Sequence, residues 1–316
     1  MKKAFITGSA ALLFLTAFFA LDYFFLDKQH INQVRAHHLL RRELWSIGIV
    51  RGENPLKLKI PGKPTLRARD ITDTAARMVA DPFAVQENGQ WYLFFEIDSV
   101  TTRQGEIGLA TSSDTTNWVY RQIVLDEPFH LSYPYVFKWN GIYYMIPESH
   151  KAGAIRLYRA APFPSGWLHA GDLIQGVYQD PSIVRHAGRW WIFASSGQNE
   201  NMVIFYADEL TGPWIAHAGN PVIKRDRGRA RCGGRIREID GKLIRFAQDC
   251  VDRYGHRLLG FEITRLTPEE YAERPIEENP LLEPDGSGWN ARRMHHLDLH
   301  QTGTNSWIGF TDGNAH

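Results

Sequence analysis

Asp81, Glu96, Glu148 and Asp180 are the residues whose type and spacing could do chemistry. Asp81 and Glu96 open and close the stretch ADPFAVQENGQWYLFFE. Phe83, Val85, Trp91, Leu93 and Phe95 stand there at strand spacing around Asn88-Gly89. Asn-Gly supplies the two positive-φ residues of a type I′ hairpin turn. The register set by that turn places Asp81 opposite Glu96, so two carboxylates meet at the open end of one hairpin. Glycoside hydrolysis needs such a pair, one group to protonate the leaving oxygen and one to act as base or nucleophile. Neighbouring carboxylates also push each other's pKa apart, which separates acid from base.

The elements that would position these groups recur along the chain. YPYVFKWNGIYYMIPE turns at Asn140-Gly141 and pairs Tyr133 with Glu148, while DPSIVRHAGRWWIFASS turns at Ala187-Gly188 and pairs Asp180 with Ser195. GGRIREIDGKLIRFAQD turns at Asp240-Gly241 and pairs Gly233 with Gln248, and a looser copy turns near Gly303. A period near fifty residues marks a solenoid, a propeller or an array. Between hairpins lies a second unit of strand, polar turn and closing aromatic, as in 105–118, 153–167 and 201–214. Four strands per repeat and five repeats predict an all-β, five-bladed β-propeller, with a sandwich as the alternative. The short runs Ile47–Val50 and Leu56–Ile60 precede the first repeat and are expected to close the last blade, which removes a free sheet edge.

In a propeller the first strand of each blade starts at one mouth of the central channel and the second strand returns there. Asp81/Glu96, Tyr133/Glu148, Asp180/Ser195 and Gly233/Gln248-Asp249 then converge with a fifth set drawn from Arg292, Arg293, His295, His296 and Asp312. Asp81, Asp180, Glu148 and Asp249 are the candidate catalytic groups. Glu96, Tyr133, Gln248, Arg292, Arg293, His295, His296 and Asp312 are the candidate substrate contacts. Asp before Pro also starts turns and caps backbone donors, which is the plainer reading of Asp81-Pro82 and Asp180-Pro181. Adjacent histidines on a strand point to opposite faces, so one of His295 and His296 is expected at the axis as a hydrogen-bonded group rather than a metal ligand. No cofactor is expected, although the axis allows for a cation. The alternating Arg225, Arg227, Arg229 and Arg231 read as a solvated loop, with an anionic glycan or lipid head group as the other use. Tyr133, Tyr135 and Tyr178 lie near the mouth and suit stacking on sugar rings.

With 36 basic and 35 acidic residues, the formal charge is +1 and no basic run provides a nucleic-acid footprint. Lys2-Lys3 precede an apolar run from Ala4 to Leu21 that resumes through Leu26, which is long enough to span a bilayer. Residues 1–27 are read as an uncleaved signal-anchor or transmembrane helix, 28–45 as a juxtamembrane stalk and 46–316 as the propeller. The chain is therefore expected to be membrane-anchored and extracytoplasmic, periplasmic or lumenal. Cys232 and Cys250 flank the Asp240-Gly241 turn almost symmetrically. In that compartment they are expected to form a disulfide, against the alternative of two separate buried thiols.

Two resemblances follow from these residues. The Asp-Pro first strands and aromatic-rich blades resemble the five-bladed furanosidase propellers of the arabinanase, xylosidase and invertase type. That resemblance implies Asp81 as base or nucleophile and Asp180 as transition-state stabiliser. The fourth hairpin begins Cys232-Gly233-Gly234 where that type carries its acid Glu, which leaves Glu148 or Asp249 for the role. RFAQDCVDRYGHRLLGFEITRLTPEEYAE (245–273), PES (147–149) and RRMHHLD (292–298) are similar to the propeller domain at the N-terminus of plant glucosamine inositolphosphorylceramide transferases. This second resemblance implies the same fold and a sugar-related context. In the plant proteins a glycosyltransferase domain follows, whereas this chain reads to His316 without one, so a partner glycosyltransferase is expected instead. The function expected is glycosidase-like action on, or binding of, a glycan or glycolipid at the channel mouth. The alternative is a non-catalytic sugar-binding accessory module.

Overall fold

Four of the hairpins turn on a pair of positive-φ residues, as their sequences demand. Asn88 and Gly89 have φ of 51° and 78°, and Asn140-Gly141, Ala187-Gly188 and Asp240-Gly241 repeat this conformation. In a computed structural model that describes residues 45–315, these four hairpins and a fifth, looser one start five antiparallel sheets. Blade 1 runs Ala76–Glu87, Gln90–Ser99, Gly105–Ser112 and Val119–Leu125 from the axis outward. Blade 2 is Ser132–Trp139, Ile142–Glu148, Ala154–Ala160 and Trp167–Gln175, and blade 3 is Gln179–His186, Arg189–Ser196, Asn201–Ala207 and Ile215–Ala216. In blade 4 the inner strand is interrupted, as Arg231–Cys232 and Arg237–Ile239, before Lys242–Asp249, Arg257–Leu266 and Tyr271–Pro275. First strands of neighbouring blades touch one another around the axis.

Blade 5 closes the ring. Its inner strands Leu297–Gly303 and Ser306–Asn314 are continued by Trp45–Asn54 and Lys57–Lys59 from the chain's beginning. Trp45 through Gly52 pair without a break with Asn314 through Trp307, the closure expected from the two runs ahead of the first repeat. The core lies between blades. Phe83, Phe94, Tyr133 and Tyr135 belong to one cluster, and Ile47, Leu93, Phe95 and Phe310 to another. The expected membrane segment 1–27 and stalk 28–45 lie outside the described residues, apart from Trp45, which begins a strand. Among the described residues no helix is long and apolar enough to cross a membrane.

Four register expectations change. The ladder of the first hairpin holds from Glu87↔Gln90 to Phe83↔Phe94 and then slips, so that Ala80 rather than Asp81 faces Glu96. Ser132 likewise replaces Tyr133 opposite Glu148, and Gln179 replaces Asp180 opposite Ser195. Each slip is a bulge at an X-Pro step whose first residue has positive φ: 52° at Asp81, 47° at Tyr133 and 48° at Asp180. A bulge inserts one unpaired residue and re-aims its side chain. In blade 4 the slip is larger, and Arg231, not Gly233, faces Gln248. That shift puts Cys232 opposite Ala247, three residues from Cys250. Both cysteines are buried free thiols, so the expected disulfide does not form.

Candidate functional site at the channel mouth

The three bulges turn Asp81, Tyr133 and Asp180 inward at the same level of blades 1, 2 and 3. Asp81 and Asp180 are buried, at 5% and 1% exposure. Asp180 is held from blade 4. Arg231 reaches it through Nε (2.7 Å) and Nη2 (3.1 Å), a bidentate contact, and the Gln248 amide donates to its Oδ2 at 2.7 Å. Glu148 sits beside this pair: its Oε2 accepts from the Asp180 backbone N–H at 3.3 Å and lies 3.5 Å from Arg231 Nη2. Its Oε1 lies 2.6 Å from His150 Nδ1. Arg231 is stacked on the Tyr254 ring, 5.0 Å from its centroid. A planar guanidinium suits this double duty, because it offers paired donors and a face for stacking.

The opposite wall comes from blade 5. Asp312 Oδ2 accepts the Asp81 backbone N–H at 3.0 Å, and its Oδ1 lies 2.9 Å from His295 Nδ1. His295 is sandwiched by Trp45, stacked at 4.0 Å, and the edge of Tyr254. His296 faces the Pro82 carbonyl through Nε2 at 2.9 Å, which fixes the proton there and leaves Nδ1 as an acceptor. Both Nδ1 atoms stand 3.9 Å from Asp81 Oδ1. The alternation expected for the two histidines fails because they precede the strand, which begins at Leu297. Asp81 Oδ1 and His296 Nδ1 are buried without a hydrogen-bond partner.

Burial and like charge set the protonation states. Burial drives the Asp81 carboxyl well up, opposed by His295 and reinforced by Asp180 and Asp312. Burial likewise raises Glu96, with Asp81, Asp98 and Glu148 adding to it. Burial carries Asp180 up to about 7 against the pull of Arg231. Glu148 goes the other way: burial opposes its ionisation, but His150 and Arg231 overcome that and hold it down at about 2. His295 and Asp312 form an ion pair in which each overcomes burial, the imidazole raised and the carboxyl lowered. Asp81, His295 and Asp312 bring one ligand atom each to within 4.8 Å of the others. Two carboxylates and an imidazole suit a divalent ion once deprotonated, so these three residues would hold an axial cation only with the Asp81 and His295 protons displaced.

Below the site the channel is filled. Tyr133 is fully buried, its hydroxyl shared with Ser182 Oγ (2.8 Å) and with the Gly234 amide and carbonyl (2.6 and 3.1 Å). It is floor, not the stacking platform expected. Tyr135 is buried too, donating to the Ile183 carbonyl, and Tyr178 packs on Phe205. Gly234 explains the missing fourth-blade Glu. A Cβ there would lie 2.0 Å from the Leu297 carbonyl oxygen, and its φ is 141°. Blade 4 meets blade 5 by backbone contact at the position where the furanosidase-type propellers carry their acid. Deeper still, Arg235 Nε donates to Asp298 Oδ1 at 2.6 Å and its Nη2 to the Val136 carbonyl at 2.9 Å.

Asp81, Glu96, Glu148, Asp180, Gln248, His295, His296 and Asp312 are thus brought together as expected. Asp249 is not, because it alternates to the other face of the strand from Gln248 and is held by Arg257 at 2.8 Å. Arg292 and Arg293 bond through their backbone amides to the Asn314 carbonyl, with Arg292 exposed. The arginine that does enter the site is Arg231, for which a solvated loop was the expectation. His130 and His150 also border the site, beside Glu96 and Glu148. His130 Nδ1 accepts the Gly105 N–H at 2.9 Å, which directs Nε2 toward Glu96 Oε1, 3.6 Å away. The alternating arginines around Arg231 were the one signal available.

Comparison with known proteins agrees with this architecture. Residues 62–314 match the family described as glucosamine inositolphosphorylceramide transferase 1, N-terminal. The chain is 37% identical to glucosamine inositolphosphorylceramide transferase 1 of Oryza sativa subsp. japonica, over 85% of this chain and 40% of that protein. It is 36% identical to the Arabidopsis thaliana protein of the same name, over 85% and 39%. It therefore spans about two fifths of the length of these relatives. Among solved structures, it is similar in fold to the catalytic domain of the Coprinopsis cinerea GH62 α-L-arabinofuranosidase. That match has a TM-score of 0.55 and 13% identity over 86% of this chain and 97% of that one.

Proposed function

Because the chain belongs to the family of the N-terminal domain of glucosamine inositolphosphorylceramide transferase 1, we propose that its propeller recognises the sugar head group of a glycan or glycolipid at the channel mouth. In this reading the chain is membrane-anchored and extracytoplasmic, and it serves a partner glycosyltransferase. One observation carries the reading: Asp81 Oδ1 is a buried acceptor with no partner, set among Asp180, Asp312 and the two histidines. A buried polar atom left unsatisfied is costly, and a sugar hydroxyl supplies the missing partner. Glu148 and Asp180, already fixed by Arg231, keep further acceptor lone pairs for neighbouring hydroxyls. The names of the relatives, transferases of a sugar on a lipid, and of the arabinofuranosidase that shares the fold support a carbohydrate ligand.

Glycoside hydrolysis is the second reading, favoured by carboxyls whose pKa values diverge at one site. It requires a change of roles. Glu148, held ionised at about 2, is unsuited to donate a proton, and Asp249 lies off the site. Glu96, whose carboxyl burial raises well above its ordinary value, becomes the acid instead.

The test is a glycan-array and hydrolysis screen of the full chain beside Asp81→Asn. Binding without turnover, weakened tenfold or more in the variant, supports recognition. Turnover that disappears in Asp81→Asn would make the protein a hydrolase. Silence of the wild type in both assays overturns both readings.

A further inference from the structure

One side of the mouth carries charge that the site does not use. Lys224, Arg225 and Arg227 lie in the loop entering blade 4, Arg253 in the loop after its second strand, and Arg292 in the loop entering blade 5; all are exposed. Nearby arginines are neutralised, Arg229 by Asp226 and Arg257 by Asp249. These five side chains have no ion-pair partner among the described residues. Against them stand Glu200, half-buried, and Asp252, which is near His256. The loops are tied into one surface. The Cys250 amide donates to the Arg227 carbonyl at 2.8 Å, and the Met294 amide to that of His256 at 3.3 Å. In the middle of this basic surface stands Val251, 60% exposed and close to Gly228.

We propose that this rim docks on an anionic lipid bilayer, so that the channel mouth opens onto the membrane surface. Two features favour a membrane over a soluble polyanion. An exposed valine among unpaired cations is the amphipathic pattern that seats in the headgroup region, whereas a soluble anionic glycan gives the valine nothing to contact. The described chain also enters the propeller on this face: Trp45, its first residue, pairs with Asn314 and stacks on His295 of the site. The sequence ahead of Trp45 carries the apolar run of residues 4–26. Each unpaired arginine near an anionic surface contributes about 1 kcal/mol, a factor of about five in partitioning. The inference rests on the reading of a lipid-linked sugar as ligand, and it adds the surface that presents that ligand to the site.

The experiment uses the full chain carrying Val251→Cys labelled with nitrobenzoxadiazole. Cys232 and Cys250 are buried, so the label reports the rim. A blue shift is expected on vesicles of phosphatidylcholine mixed with phosphatidylserine and not on phosphatidylcholine alone. The shift should weaken about fivefold with each of Arg225→Ala, Arg227→Ala and Arg253→Ala. It should survive Asp81→Asn, which separates failure of this inference from failure of the sugar reading. No shift, an equal shift on neutral vesicles, or the same shift on adding heparin oligosaccharide without lipid would overturn it.

Discussion

Arg231 decides the state of the site because it is the cation shared by two buried carboxylates, Asp180 and Glu148. Removing one member of a buried ion network leaves the others charged and unpaired, at a cost of about 3–5 kcal/mol. Arg231→Met should lower unfolding stability by that order in urea titration, and adding Asp180→Asn should restore part of it. Additive losses in the double variant would show that the two groups do not interact. Glu148 gives a pH signature. Its carboxyl is held at about 2 against an ordinary value of 4.5, so the native state favours the ionised form. The stability this supplies is complete above about pH 4.5 and is lost as pH falls toward 2. The urea midpoint of the wild type should therefore fall more steeply below pH 4.5 than that of Glu148→Gln. Parallel curves would show that His150 and Arg231 do not depress this group.

The bulged X-Pro step of blades 1, 2 and 3 is the element that builds the mouth. It places a residue of positive φ before proline, a conformation that the proline ring disfavours, so tertiary packing must hold it there. That is why the sequence revealed which residues converge but not their register. Asn-Gly announces a turn through a local rule, whereas this bulge contradicts one. The same gap explains the cysteines, whose symmetry about Asp240-Gly241 held only for an unslipped ladder. Arg231 could be read as loop because the slip that carries it opposite Gln248 had no local mark. The turns themselves allow a clean test. Ala187 has φ of 50° where the equivalent turns use Asn or Asp, and an alanine there bears a left-handed penalty of about 1–2 kcal/mol. Ala187→Gly should stabilise the protein by about 1 kcal/mol, measured as a raised urea midpoint with an unchanged slope. No gain would mean that the penalty is relieved elsewhere in blade 3.

At the scale of the whole molecule, site and closure are the same structure. Asp312 lies on the strand that pairs with the chain's beginning, where Ile47 faces it, and His295 is stacked beneath Trp45. Blade 5 can thus present its wall of the mouth only when Trp45–Asn54 is seated. Gly48 is the point at which seating can be broken. It pairs with Thr311, and a Cβ there would meet the Trp289 ring at 2.3 Å. A valine at this position forces overpacking against a rigid indole, which costs about 1–3 kcal/mol, and frees a sheet edge. Gly48→Val should lower stability by that amount, expose the segment around residues 45–54 to limited proteolysis, and weaken any ligand bound at the mouth together with its response to Asp81→Asn. Leu168→Ser, at an outer-strand position of blade 2 that is 53% exposed, should do none of these. If Gly48→Val kept full ligand affinity while the strand became protease-sensitive, the blade 5 wall would hold its shape without closure, and the dependence of the site on the chain's beginning would be wrong.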